Sequence, residues 1–411
     1  MNTASAHSFT QRNHGIDLLR ALTMFVMIFV NDFWKINGVP HWLEHATFGE
    51  DFMGLADVVF PLFLFVVGMS IPYAIERRYS KGMSAESTLG HIFSRTWALL
   101  IMGAFIVNSE SRLSPDVPYS IGVYWFIMVA AFILIWNNYP KSNSIKHKRQ
   151  LLFLKAIGYA ILIYLAITFR DPKGGVFAAG WWGILGAIGW TYILCSVIYI
   201  FTRHNLKYLI PIWALFVLVC ILGSRMNEAH GNVALLSLPR PNFYNDLLNI
   251  FHIGNGALPA FAMGGLIFSI ITAKYNHLRP SRKLTYAIIA TVAFFAIGIL
   301  ARKYWILSKI AATPTWIFYV TAIAIISYTI LTILSETGNA KWLNIIKPAG
   351  TATLTCYLVP YVMYGFSEIT GIALPDILTH GWVGLLNSIS FALIVIGITW
   401  LVGKAGIKLK I

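Results

Sequence analysis

Twelve times along this chain an apolar run of about 20 residues recurs, the length a helix needs to cross the hydrocarbon core of a bilayer. The runs lie near residues 16–34, 52–75, 92–108, 119–137, 150–168, 181–201, 207–223, 255–273, 284–301, 314–334, 350–366 and 382–402. Inside hydrocarbon no water is present to bond a stray N–H or C=O, so a continuous apolar segment must close its own backbone bonds as a helix. Composition agrees: 57% of the 411 residues are hydrophobic and 11% charged, against about 25% charged in soluble domains. The expectation is an all-α, polytopic transmembrane helix bundle of about twelve spans, ten or eleven at the low end. The polar stretches between runs are short, the longest being Arg225 to His252, too little to bury a core of its own. Residues 1–411 therefore read as a single transmembrane domain. The first run exceeds the core of a signal peptide and lacks a small-residue cleavage site, so it is expected to stay.

The net charge of +15 is distributed in a way that points to lipid and not to nucleic acid. Lys and Arg alternate from loop to loop: Arg77, Arg78, Lys81 and Arg95 in one set, then Lys141 to Arg149, Arg203 and Lys207, Lys274 to Lys283, and Lys404 to Lys410. The loops between are poorer in base and carry Asp32, Glu44, Glu50, Asp51, Glu368 and Asp376. By the positive-inside rule both termini are cytoplasmic, and the stretch from Asn31 to Asp57 is extracytoplasmic. A bacterial cytoplasmic (inner) membrane is the expected location. One loop breaks the pattern, because Arg302, Lys303 and Lys309 fall outside; either it lies deep in the protein or a neighbouring span is misplaced.

Several chemistries lack support. Cys195, Cys220 and Cys356 all lie in apolar runs, as buried small hydrophobes do. Their spacing suits neither a disulfide framework nor a metal site. No phosphate-cradling glycine motif stands at a strand-to-helix junction, which disfavours an ATP-driven pump, and no metal is expected. Polar groups at membrane depth are costly and mark function, which draws attention to His45, Asn31, Asp32 and Asp57 at the lip of the first two runs.

Those same residues carry a family resemblance. His14-Gly15-Ile16-Asp17-Leu18-Leu19-Arg20-Ala21-Leu22-Thr23-Met24 resembles the LDxxRGLxM opening of the heparan-alpha-glucosaminide N-acetyltransferase family. His45-Ala46-Thr47-Phe48 followed by Leu55-Ala56-Asp57-Val58-Val59-Phe60-Pro61 and on to Ile71 is similar to its HAxWxGLxxADLVFPxFxFIxGxSI block. Weaker echoes occur at Gly183 to Trp190 and at Thr313-Pro314-Thr315-Trp316. The resemblance implies transfer of an acetyl group from cytosolic acetyl-CoA, as co-substrate, to an amino sugar or glycan across the bilayer. It assigns His45 to the His of HAxW, Asn31 to the Asn closing the first span, and Asp57 to the Asp of ADLVFP.

Acyl transfer chemistry independently suits these residue types. A base must take the proton of the attacking amine or hydroxyl, and imidazole is the usual choice, so His45 is the candidate general base or acyl carrier. The neutral amide of Asn31 offers N–H donors to the oxygen that gains charge. Asp57, or failing that Asp32, is placed to hold the imidazole tautomer. His41 reads as an inert neighbour. Asp17 and Arg20, three apart, share a helix face as an anchoring pair, or else Arg20 joins Arg77, Arg78 and Arg95 in a collar for the CoA phosphates, for which forked guanidinium donors are suited. Asp32, His252, Asn255, Tyr361 and Tyr364 are candidates for the acceptor side. Tyr357, Tyr361, Tyr364 and Glu368 fall on one helical stripe, either interfacial packing or a wall for sugar rings. Two other functions fit twelve spans: a transporter or flippase of glycans or lipid-linked sugars, and an O-acyltransferase of the OafA type. Partners expected are acetyl-CoA, the acceptor and membrane lipids, with a homodimer allowed.

Overall fold

The computed structural model describes residues 9, 12–110, 113–140, 143–224 and 256–411. Among the described residues, twelve helices of 16 residues or more follow in order, one on each expected run: α1 His14–Asn31, α2 Leu55–Tyr79, α3 Ala85–Glu110, α4 Ile121–Trp136, α5 Ile145–Thr168, α6 Gly183–Thr202, α7 Leu206–Gly223, α8 Ala257–Lys274, α9 Pro280–Arg302, α10 Pro314–Glu336, α11 Thr353–Thr370 and α12 Gly381–Lys404. Nine of the described helices are long and apolar enough to cross a membrane. Of the other three, α4 has 16 residues, and α1 and α11 have 18 each. Extended pairing among the described residues is confined to three isolated bridges. This is an all-α, polytopic integral membrane protein.

The chain packs as two compact units, one of residues 1–23, 39–96 and 187–345, the other of residues 24–38, 97–186 and 346–411. In the first unit α2 and α8 cross at very close range. A Cβ on Gly68 would stand 1.8 Å from the carbonyl oxygen of Ala262, and one on Gly265 2.0 Å from that of Phe65. Lipid tails are as apolar as leucine, so helices in a bilayer gain from such backbone contact through small residues rather than from burying more hydrocarbon. Leu64, Phe65 and Met69 of α2, Phe261 and Leu266 of α8, and Trp316 and Val320 of α10 make the buried core. Next to them α9 lies against α10 and leaves Ile289, Val292 and Ile299 exposed, an apolar face suited to lipid.

In the second unit α4 packs between α5 and α11. The Tyr124 hydroxyl donates to the carbonyl of Phe105 at 3.1 Å, so a buried phenol keeps a partner. All three cysteines are buried and free.

Candidate functional site

The amino terminus of α2 builds the first cluster. A helix leaves its first N–H groups unbonded, and a carboxylate in the first turn answers both that need and the helix dipole. Asp57, fully buried, does this with one oxygen: Oδ2 accepts from the Gly54 N–H at 3.2 Å and the Ala46 N–H at 2.9 Å. Gly54 is required because a Cβ there would lie 1.9 Å from the Glu44 carbonyl oxygen. That close passage lays Glu44, His45 and Ala46 across the start of α2.

The second oxygen of Asp57 is thereby free for His45, whose Nδ1 lies 2.7 Å away. A carboxylate only accepts, so Nδ1 carries the proton and donates it to Oδ1. The imidazole is half exposed, and its Nε2 has no protein partner among the described residues. This is the arrangement in which a carboxylate fixes the tautomer that leaves Nε2 with its lone pair. From α10, the indole N–H of Trp316 donates to the Asp57 carbonyl at 3.1 Å, and its ring packs edge-on to Phe261 at 4.8 Å. The Thr-Pro-Thr-Trp segment thus braces the cluster: the Thr315 hydroxyl also donates to the Trp305 carbonyl at 2.7 Å, and Thr313 closes the turn with Ser308 at 3.2 Å.

A residue absent from the sequence-based site completes the cluster. Lys309 Nζ sits 3.1 Å from His45 Nδ1 and 3.8 Å from Asp57 Oδ1. Burial lowers the Lys309 pKa, and Asp57 opposes that shift. Its loop is held by Arg302, whose Nε donates to both Asp51 oxygens at 3.0 Å, and by the Leu307 N–H, which donates to Asp51 Oδ1 at 2.7 Å. The loop that broke the charge pattern therefore folds onto the protein, with Arg302 and Lys309 committed to carboxylates. The signal for Lys309 was that very violation. His41, by contrast, pairs with Glu50 at 2.8 Å and stacks on Phe52 at 4.3 Å, a structural arrangement.

The four arginines of the expected collar differ in how fully they are bonded. Arg20 donates to Ser70 Oγ at 2.6 Å and to Asp17 at 3.2 Å, tying α1 to α2. Arg77 is exposed, and Arg78 donates to the Ser87 carbonyl at 3.2 Å. Arg95 lies over the Tyr192 ring at 4.6 Å. The Nε groups of Arg78 and Arg95, and the buried hydroxyls of Thr96, Thr191 and Ser196, have no hydrogen-bond partner among the described residues. Buried donors without partners are costly, and an anionic phosphate is the group that would satisfy the guanidinium ones.

The second unit contains a cavity of about 1030 Å³ whose walls include Asn31, Trp34, Glu110 and Trp125, together with Tyr357, Tyr361, Tyr364 and Glu368. The whole tyrosine stripe of α11 faces this space. Asp32 is buried behind it, accepting from the Tyr364 hydroxyl at 2.9 Å and from Ser388 Oγ at 2.8 Å; burial raises its pKa against these bonds. Lys35 lies over the Tyr364 ring at 4.0 Å. Trp34, Glu110 and Trp125 were not singled out from sequence. Glu110 and Trp34 end or follow apolar runs, which marks an end but not a cavity wall. His252 and Asn255 lie outside the described residues. Among the described residues no group of His, Cys, Asp and Glu could hold a metal ion.

Comparison with known proteins supports the family expected from the motifs. Residues 12–138 match the family described as heparan-alpha-glucosaminide N-acetyltransferase, catalytic. The mouse protein named heparan-alpha-glucosaminide N-acetyltransferase is 28% identical over 186 residues, 41% of this chain and 27% of its own length. The human protein of the same name is 29% identical over 184 residues, 40% of this chain and 26% of its own. The match thus spans about a quarter of these relatives.

Proposed function

We propose that this chain, whose residues 12–138 match the family described as heparan-alpha-glucosaminide N-acetyltransferase, catalytic, is an acetyl-CoA-dependent transmembrane N-acetyltransferase acting on an amino sugar or glycan. The observation that carries the proposal is the dyad of His45 and Asp57 at 2.7 Å, with the tautomer fixed and Nε2 available. Asp57 is locked by two backbone donors, so the ring is oriented before substrate arrives, as electrostatic preorganisation requires.

In the reaction, Nε2 of His45 takes the proton of the acceptor amine as its nitrogen attacks the thioester carbonyl; the C–S bond breaks, a C–N bond forms, and the proton passes to the CoA thiolate. In the stepwise form Nε2 itself attacks the thioester carbonyl and the C–S bond breaks with release of the CoA thiolate; the amine then attacks the acetyl carbon, the bond to Nε2 breaks, and the amine proton ends on the thiolate. Arg78 and Arg95, with Arg20 and Arg77, would hold the CoA phosphates. By the charge distribution, both termini and the CoA side face the cytoplasm of a bacterium, and the acceptor side faces outward.

The test is release of CoA thiol from acetyl-CoA by purified protein in lipid with glucosamine as acceptor. His45→Ala should lose about 10²–10⁴ of the rate, the range for a positioned acid–base group, with its thermal transition unchanged. A His45→Ala protein as active as the parent would overturn the reading. Radiolabelled acetyl left on His45 in the absence of acceptor identifies the stepwise route.

A further inference from the structure

A primary amine that the proposed reaction leaves idle stands beside its base. Lys309 Nζ lies 3.1 Å from His45 Nδ1, and 26% of the lysine side chain is open to its surroundings, enough for a small acyl donor to reach it. The backbone beneath is fixed. The Lys309 carbonyl accepts from the Ala312 N–H at 3.0 Å, the Ser308 carbonyl accepts from the Thr313 N–H at 3.1 Å, and the Ser308 N–H donates to Thr313 Oγ1 at 3.2 Å. Movement of the amine is therefore left to its flexible four-carbon stem. From Nδ1 to the working nitrogen Nε2 is only the width of one imidazole ring, which such a stem can span.

Two features keep a lone pair available on Nζ. Nδ1 carries the proton it donates to Asp57, so it has no lone pair for an ammonium N–H, whereas a neutral amine meets Nδ1–H without conflict. Burial lowers the Lys309 pKa, the direction in which a lysine becomes a nucleophile. Asp57 Oδ1 at 3.8 Å pulls the other way, so ammonium and amine exchange at this position.

We propose that Lys309 is a self-acetylation site, whose amine takes the acetyl group of acetyl-CoA when no acceptor is present. The donor rests on the proposed acetyltransfer reading. Nζ attacks the thioester carbonyl, the C–N bond forms and the C–S bond breaks. Of the two protons the ammonium sheds, one leaves to water before attack; His45 Nε2 takes the other and passes it to the CoA thiolate. The product is a neutral amide, which withdraws the ammonium from Asp57 and crowds His45, so the modified protein turns over more slowly. Plentiful acceptor protects Lys309 by taking the acetyl group first; scarce acceptor lets the protein slow itself and spares acetyl-CoA.

The experiment is peptide mass mapping of the full chain in detergent after incubation with isotope-labelled acetyl-CoA, with and without glucosamine. A hydroxylamine wash strips acetyl from imidazole and leaves amides. Lys303, exposed in the same loop, reports acetylation that needs no site. Without glucosamine, label on Lys309 should exceed that on Lys303 about tenfold or more, and fall at least about tenfold in His45→Ala, as loss of a positioned base requires. Glucosamine turnover should reduce it. Preincubation with acetyl-CoA alone should slow later CoA release by the parent and leave Lys309→Arg, which has no acylatable amine, at its own starting rate. Label no higher on Lys309 than on Lys303, or equal slowing of parent and Lys309→Arg, would overturn the inference; so would label unchanged in a His45→Ala protein with its normal thermal transition. If His45→Ala does not fold, the ratio of Lys309 to Lys303 in the parent decides. Glucosamine-dependent CoA release with Lys309 unlabelled removes this site and leaves the proposed function; label concentrated on Lys309 with no such release does the reverse.

Discussion

Replacing Asp57 by Asn changes one atom, and the surroundings dictate which way the new amide turns. Oδ2 of Asp57 accepts from two backbone N–H groups, Ala46 at 2.9 Å and Gly54 at 3.2 Å. An amide nitrogen placed there would set N–H against N–H, so the Asn carbonyl oxygen must take that side. Its NH₂ group then faces His45 Nδ1, 2.7 Å away in the parent, and can only donate. The imidazole is driven to accept at Nδ1 and to carry its proton on Nε2, the nitrogen that must have a lone pair to act as base or nucleophile. In serine proteases the equivalent exchange leaves the geometry intact and lowers kcat about 10⁴-fold through the wrong tautomer. We expect a fall of about 10³–10⁴ here, or about 4–5.5 kcal/mol at 1.36 kcal/mol per decade. Loss of the carboxylate from Lys309, 3.8 Å away, adds a stability cost of about 1–3 kcal/mol, the scale for leaving a charged group without its partner. The assay is steady-state CoA release by the purified variant with saturating acetyl-CoA and amine. His45→Ala and the double variant should be no worse than about tenfold below Asp57→Asn, because residues acting as one unit are not additive. A kcat for Asp57→Asn within tenfold of the parent would refute the tautomer argument.

Lys309→Met should lower kcat roughly tenfold, about 1.4 kcal/mol of barrier, by removing the ammonium that pairs with Asp57 Oδ1 at 3.8 Å, and a parental kcat would show that the ammonium is a bystander. The same variant has a pH signature. Burial puts the folded-state pKa of Lys309 below its ordinary 10.5, so between the two values the unfolded chain binds more protons and stability rises with pH; the parent should gain stability on that alkaline flank in detergent melts, and Lys309→Met should gain less. Gly68→Ala should destabilise the bundle by several kcal/mol, since its Cβ would meet the Ala262 carbonyl at 1.8 Å and overpacking already costs about 1–3 kcal/mol in ordinary cores; an unchanged thermal transition would contradict the packing. Arg95→Ala should raise KM for acetyl-CoA about tenfold, the scale of one guanidinium–phosphate contact, with KM for the amine unmoved, and an unmoved KM for acetyl-CoA would take Arg95 out of the collar.

The fold class and the positions of the twelve long described helices were legible in the residue order, because crossing a bilayer imposes length and apolarity segment by segment, with no need for tertiary information. The pairing of His45 with Asp57 was one of several arrangements the residue order allowed, beside Asp32 as partner, an Asp57–Arg20 pair or a helix cap; the structure gives Asp57 both the His45 contact and the capping bonds. Lys309 was not legible, because only the fold of the α9–α10 loop onto Asp51 brings it to His45, across 264 residues. The facing of the tyrosine stripe was equally undecided: spacing puts Tyr357, Tyr361 and Tyr364 on one side of α11, but whether that side meets lipid, protein or a cavity depends on how α4 and the α3–α4 connection pack around it. One-dimensional order thus determined which segments enter the membrane; which polar groups meet there was decided by packing, because contact between distant segments is a property of their arrangement and leaves no periodicity behind.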